Sequence, residues 1–247
     1  MSKQMQNATN LYLRGIRDGY IDEVLENYMG DSYTQHSTGV KDGKAGFKEF
    51  FQDFHKRNTE RDIQIVRTFE DGPYVFQHVY QNLNGGQAQW ITTDIFRADD
   101  QGRIVEHWDV IDAYPQNKPA VDPIFGDFQI EDEDQTEQNK AKIRLFLTYV
   151  MQNHDYTRFN DFVKDNYVEH DAASYLDYLK DNDVTYDFVF KVLGQGNYVV
   201  SYSQVTIAGT AYAMFDIFRL EDGKIAEHWV NKEVMPKRSE LTNSGKF

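Results

Sequence analysis

The chain repeats itself, and a repeat of this length folds as two copies of one supersecondary unit set in tandem. Asp94-Ile95-Phe96-Arg97 returns as Asp216-Ile217-Phe218-Arg219. Soon after each comes a glycine-led Glu-His-Trp segment, Gly102 to Trp108 and then Gly223 to Trp229. Upstream, Tyr33-Thr34-Gln35-His36 matches Tyr167-Val168-Glu169-His170. Between these, Gly72-Pro73-Tyr74-Val75 matches Gly196-Asn197-Tyr198-Val199. Four matches in one order mark a duplication, and 247 residues leave room for two domains of ordinary size.

The boundary between the copies is legible too. Pro115, Pro119 and Pro123 fall close together and are followed by the acidic run Glu131-Asp132-Glu133-Asp134. Proline disfavours helix and interior strand, and a charge run stays solvated. Asp134-Gln135-Thr136-Glu137 then places a capping residue three positions before an acid, the start of a helix. The expected division is copy one over 1–118, a linker over 119–136, copy two over 137–236 and a loose polar tail over 237–247.

Within copy one the pattern predicts helices first and strands after. Two helices run from about Met5 to Asp18 and Ile21 to Met29, broken at Gly19. Phe47, Phe50, Phe51 and Phe54 share one helical face and place a third helix from about Lys44 to Arg57. Four strands follow over Asp62–Phe69, Tyr74–Leu83, Gln87–Ala98 and Arg103–Ala113, joined by turns at Asp71-Gly72-Pro73, Asn84-Gly85-Gly86 and Asp100-Gln101-Gly102. Helices followed by an antiparallel meander make an α+β domain. Copy two repeats the scheme, but His170 to Asp216 is shorter than His36 to Asp94, mainly at the third helix. Its pocket should therefore be more open or partly filled.

The formal net charge of -14, with no sustained basic run, repels phosphate backbones and anionic lipid, so neither nucleic acid nor a membrane surface is expected as a partner. No apolar stretch approaches the ~18–20 residues that span a bilayer. The opening residues Met1 to Asn7 lack the apolar core of a secretory signal, and cysteine is absent, which removes disulfides and thiolate chemistry. These features lead to the expectation of a cytoplasmic protein. No Gly-rich phosphate loop and no His-x-x-x-His spacing occur, so no nucleotide cofactor and no metal are expected.

Taken together, Tyr33-Thr34-Gln35-His36, the glycine-bearing turn into the Phe50-Phe51 helix, Asp94-Ile95-Phe96-Arg97 and Glu106-His107-Trp108-Asp109 resemble the SnoaL-like polyketide cyclase family. That family belongs to the nuclear transport factor two-like superfamily, which also holds ketosteroid isomerases. The resemblance covers residues 5–114 and, more weakly, 139–235. It implies two tandem cones, each a curved antiparallel four-stranded sheet wrapped by about three helices around a deep pocket. It also implies that the open faces of two sheets pair, here as an internal pseudo-dimer, with further homo-oligomerisation left open. The fold hosts many functions and does not itself decide the chemistry.

Cyclase or isomerase chemistry needs a carboxylate or histidine base beside a carbonyl, with donors to stabilise the enolate. Strand alternation groups His107 with Asp109, Trp90 with Asp94, and His78 with Tyr80, without saying which faces are concave. The resemblance implies a pocket acid on the final strand, which selects Asp109. Asp109 and His78 also differ between the copies, where Val230 and Tyr202 stand, so neither is required by the fold alone. The expected catalytic residues are Asp109, His36 and His78, with His107, Asp94, Trp90, Tyr33, Phe51 and Tyr80 contacting substrate. His170, Tyr202, Asp216 and His228 mark the second pocket. The expected ligand is a small apolar or aromatic carbonyl compound, handled without a cofactor. The alternative is a non-catalytic ligand-binding or protein-interaction module.

Overall fold

The computed structural model describes residues 1–115, 122–126 and 128–247. Of the expected linker, residues 119–121 and 127 lie outside the described residues, as does the end of copy one at 116–118. The chain divides into two compact units, one of Met1–Ala113 with Pro236–Phe247, the other of Tyr114–Met235.

In the first unit, α1 (Lys3–Asn10) starts at Ser2, whose hydroxyl accepts from the Met5 amide at 3.1 Å. It runs on as π-helical turns over Leu11–Arg17, and the chain breaks at Gly19 with φ +91°, a left-handed conformation that glycine adopts freely. Next come α2 (Ile21–Asn27), β1 (Met29–Gln35), α3 (Gly43–Arg57), β2 (Arg61–Asp71), β3 (Tyr74–Leu83), β4 (Ala88–Ala98) and β5 (Ile104–Ala113). The sheet order is β1-β5-β4-β3-β2, with β1 parallel to β5 and the other neighbours antiparallel. The three helices and the four-strand meander fall where the sequence places them. β1 is an addition, because Met29-Gly30-Asp31-Ser32 has no alternating apolar pattern to announce a strand.

One sheet face packs against the helices. Ala8, Leu11, Ile16 and Val24 meet Phe47 of α3 and Val75, Val79 and Phe96 of the sheet, all buried. Each buried aliphatic or aromatic side chain of this kind contributes about 1.5–3 kcal/mol relative to exposure.

The second unit has α4 (Thr136–Phe146), continued as π-helical turns over Leu147–Gln152, then α5 (Phe159–Phe162), β6 (Val163–Glu169) and α6 (Tyr175–Asp181). β7 (Val184–Gln195), β8 (Tyr198–Ile207), β9 (Thr210–Glu221) and β10 (Lys224–Val234) complete it. Its sheet order, β6-β10-β9-β8-β7, reproduces the first with β6 parallel to β10. α6 has 7 residues against the 15 of α3, the shortening expected from sequence.

The segment read as a loose tail is ordered into the first unit. Asn243 donates to the carbonyls of Ser37 at 2.6 Å and Val40 at 2.7 Å, and Lys246 is 2% exposed. A polar composition predicts solvent exposure, yet here the polar groups find backbone partners. No helix among the described residues is long and apolar enough to cross a membrane.

Candidate functional site

Between the sheet and helices of the first unit lies a cavity of about 330 Å³, at the small end of the range for small-molecule sites. Its apolar wall is built by Ile16, Phe50, Phe51, Phe54 and Leu83. Trp90 and Ile111 also line it and stay 37% and 36% exposed, which marks its open end. At the buried end stand Asp94, His107 and Asp109, with Tyr12, Gln35 and Thr92 around them.

Register explains this convergence. Asp94 on β4 pairs directly with Asp109 on β5, and Phe96 pairs with His107. Side chains directly opposite on one face have Cβ atoms about 4.5–5.5 Å apart, so the hairpin delivers both carboxylates to one spot.

The polar groups form one connected network. His107 faces Gln35 Oε1 through Nδ1 at 3.0 Å and Asp94 Oδ1 through Nε2 at 2.9 Å. Gln35 Oε1 already accepts from the amides of His36 at 2.9 Å and Ser37 at 3.0 Å, so it is fixed as an acceptor and His107 Nδ1 carries a hydrogen. Asp94 Oδ2 accepts from the hydroxyls of Thr92 at 3.0 Å and Tyr12 at 3.3 Å. Burial pushes the Asp94 carboxyl above its ordinary value, with the Asp109 charge adding and His107 and Thr92 opposing. Burial, helped by Asp94 and Asp109, raises Tyr12 well above the ordinary phenol value, so its hydroxyl keeps its proton.

Asp109 is engaged differently. Lys246 Nζ donates to its backbone carbonyl at 2.8 Å and to Oδ1 at 3.3 Å. Its Oδ2 has no hydrogen-bond partner among the described residues, although Asp109 is only 5% exposed and lines the cavity. One carboxylate oxygen is therefore available to a ligand.

Asp94, His107 and Asp109 each offer a ligand atom within 4.8 Å of the others, close enough to hold a metal ion. In this arrangement the Asp94 oxygens and His107 nitrogens are already hydrogen-bonded and the Lys246 ammonium sits on Asp109. A divalent cation would have to displace a proton and compete with that charge, so the donor set suits proton transfer better.

Of the expected residues, the structure brings Asp109, His107, Asp94, Trp90 and Phe51 together in the cavity wall. Tyr33 stands behind it, packed edge-on against Phe47 and accepting from Gln35 Nε2 at 3.1 Å. His36 is not brought to the cavity. It stacks on Trp108 at 4.8 Å, faces Glu106 at 3.1 Å, and donates from Nδ1 to the Gly245 carbonyl. His78 also lies on the opposite sheet face, 2.9 Å from Arg67, as does Tyr80 one pleat further along. The physical reason is alternation: Val79 and Gln81 of β3 point to the helices, so His78 and Tyr80 point away. Tyr12, Gln35, Gln81, Thr92 and Lys246 were not anticipated. Only Thr92 carried a signal, since it shares the strand face of Asp94.

The equivalent region of the second unit is filled. His228 lies between Glu169 at 2.8 Å and Asp216 at 3.1 Å, and Asp216 accepts from Tyr186 at 3.0 Å, Tyr175 at 3.3 Å and Ser201 at 3.2 Å. All of these residues are buried. His170 stacks on Trp229 at 4.5 Å on the other sheet face, and Tyr202 stacks on Phe215 at 4.2 Å, so neither joins Asp216.

Residues 8–118 match the family profile described as SnoaL-like polyketide cyclase. The first unit resembles that family over this stretch. Solved structures similar to the chain include a proposed polyketide cyclase from Bacillus cereus ATCC 10987, at 19% identity over 44% of this chain and 74% of that one, with a TM-score of 0.40. IdmH, a proposed polyketide cyclase from Streptomyces antibioticus, is 18% identical over 45% of this chain and 93% of its own, with a TM-score of 0.40. An LEH-like epoxide hydrolase from M. tuberculosis is 20% identical over 44% and 83%, with a TM-score of 0.38. None of the curated proteins compared matches the chain.

Proposed function

We propose that the first, SnoaL-like unit is an acid–base enzyme acting on a small apolar or aromatic carbonyl compound, with Asp109 as the base. The observation that carries this reading is the unpartnered Oδ2 of Asp109 in the wall of a mostly apolar cavity. Asp109 would remove the proton next to a carbonyl, and the C–H pair would become the enolate π bond. The Tyr12 hydroxyl, which burial keeps protonated, would turn from Asp94 Oδ2 to donate to the enolate oxygen. Return of the proton to another carbon gives isomerisation, and attack of the enolate on a second carbonyl gives cyclisation.

A second reading applies to the other unit, where Tyr175 and Tyr186 occupy the space beside Asp216 and Val230 stands in place of the base. That unit serves as a structural or interaction module.

The test is exchange of the α-protons of 1-tetralone in deuterated buffer, followed by NMR. Asp109→Asn is expected to slow exchange on the order of 10²-fold or more, the usual worth of a positioned base. His78→Gln, behind the sheet, should leave it within about threefold. An Asp109→Asn variant that exchanges as fast as the wild type would remove Asp109 from this role.

A further inference from the structure

The base assigned above is held by a residue far from it in sequence. The segment Pro236–Phe247, which follows the last strand of the second unit, is part of the first compact unit. It is fastened along the loop that walls the cavity. Asn243 donates to Ser37 and Val40, both cavity-lining residues, and Ser244 donates to Asp42 Oδ2 at 3.0 Å. Gly245 accepts from His36, which explains why that histidine is buried behind the sheet. At the end of the segment Lys246 has a side-chain exposure of 0%, and its ammonium meets both the carbonyl and Oδ1 of Asp109.

We propose that Lys246 is the positioning residue of the first cavity: it fixes the rotamer of Asp109 so that Oδ2 faces the ligand, and the 236–247 segment is thereby a working part of that site. The inference rests on the reading of Asp109 as base, but the contact itself does not. Burying a lysine is costly unless its charge is paired and its hydrogens are satisfied. A segment with only a packing role would be served as well by Leu or Met at this position. Two donations to one residue, one of them to backbone, constrain where the carboxylate can turn. A third observation agrees: the second unit has Val230 in place of Asp109 and thus nothing for such an ammonium to hold.

The experiment uses the full chain with Lys246→Met, which keeps the length of the side chain, and Lys246→Arg, which keeps its charge. With 1-tetralone as probe, Lys246→Met should lower kcat for α-proton exchange about 10–100-fold with KM within about twofold, the cost of a misplaced catalytic group. Lys246→Arg should recover part of the rate. Wild-type kinetics in Lys246→Met would overturn the proposal. Acylation of lysines with an activated ester, read by mass spectrometry, is the independent arm. Lys246 should label much more slowly than the exposed Lys41 and Lys48, and Asp109→Ala should speed its labelling at least tenfold. If the wild type exchanges no ketone protons, the base assignment falls, and the labelling arm alone decides the pairing. Equal protection of Lys246 in the wild type and Asp109→Ala would overturn it.

Discussion

Positions 35 and 169 hold the same place beside a buried histidine, yet one is an amide and the other a carboxylate. Gln35 offers His107 a neutral acceptor, so the cavity keeps a polar pole without a fixed ion triad. Glu169 instead leaves His228 between two carboxylates. Burial disfavours the His228 charge, but Glu169 and Asp216 outweigh it and raise its pKa to about 10. Glu169→Gln should therefore bring the His228 midpoint down by at least two pH units toward the ordinary value near 6.5, read from its Cε1–H shift by NMR. An unchanged midpoint would mean that Asp216 alone holds the proton. The substitution itself was visible in the repeat, where Tyr33-Thr34-Gln35-His36 stands against Tyr167-Val168-Glu169-His170. Its meaning was not, because nothing in those residues announces a strand parallel to the last one. Alternation grouped His107 with Asp109 and His78 with Tyr80 without saying which face is concave, so it could not set His78 apart. Asp109 was singled out by the family resemblance and by Val230 standing in its place in the second copy.

Among the elements, the third helix separates an open cone from a filled one. The aromatic spacing of Phe47, Phe50, Phe51 and Phe54 made α3 readable, since four rings on one face mark the face turned inward, where Phe47 is buried and the other three line the cavity. α6 is half as long, and its Tyr175 reaches Asp216 with a hydroxyl instead of leaving space. The seat of α3 depends on Gly46, where a Cβ would lie 2.3 Å from the Lys41 carbonyl oxygen. Gly46→Ala must push the start of α3 off the Lys41 loop. It should cost about 1–3 kcal/mol of stability, the usual penalty for overpacking. It should also weaken 1-tetralone binding, measured by quenching of Trp90 fluorescence. Full affinity in Gly46→Ala would show that the helix does not set the cavity wall. The 236–247 segment escaped prediction for the opposite reason. Its fastenings are hydrogen bonds, to backbone and to the Asp42 and Asp109 carboxylates, which leave no apolar period in the sequence.

Across the whole molecule, the same topology built twice yields two units with different responses to pH. In the second unit the raised pKa of His228 gives stability that is fully present below about pH 6.5 and lost as pH rises toward about 10. Glu227 acts in the other direction. Burial alone would raise it, but the hydrogen bonds from His170 and Arg219 and the Arg219 charge hold it down at about 2. Its contribution is present above the unfolded value near 4.5 and lost as pH falls toward about 2. The second unit should thus be most stable between roughly pH 4.5 and 6.5, and by pH 9.5 it should have lost on the order of a few kcal/mol. Its unfolding can be followed alone, because only Trp229 of the 3 tryptophans lies in that unit. In a Trp90→Phe, Trp108→Phe background, the thermal midpoint reported by Trp229 should fall steadily from pH 6 to 9.5. His228→Gln should flatten that slope while lowering the midpoint at pH 6, where the imidazolium is worth most. A midpoint independent of pH over this range would mean that the Glu169–His228–Asp216 triad exchanges its proton with no net gain on folding. The filled cone would then owe its stability to Tyr175, Tyr186 and their apolar neighbours.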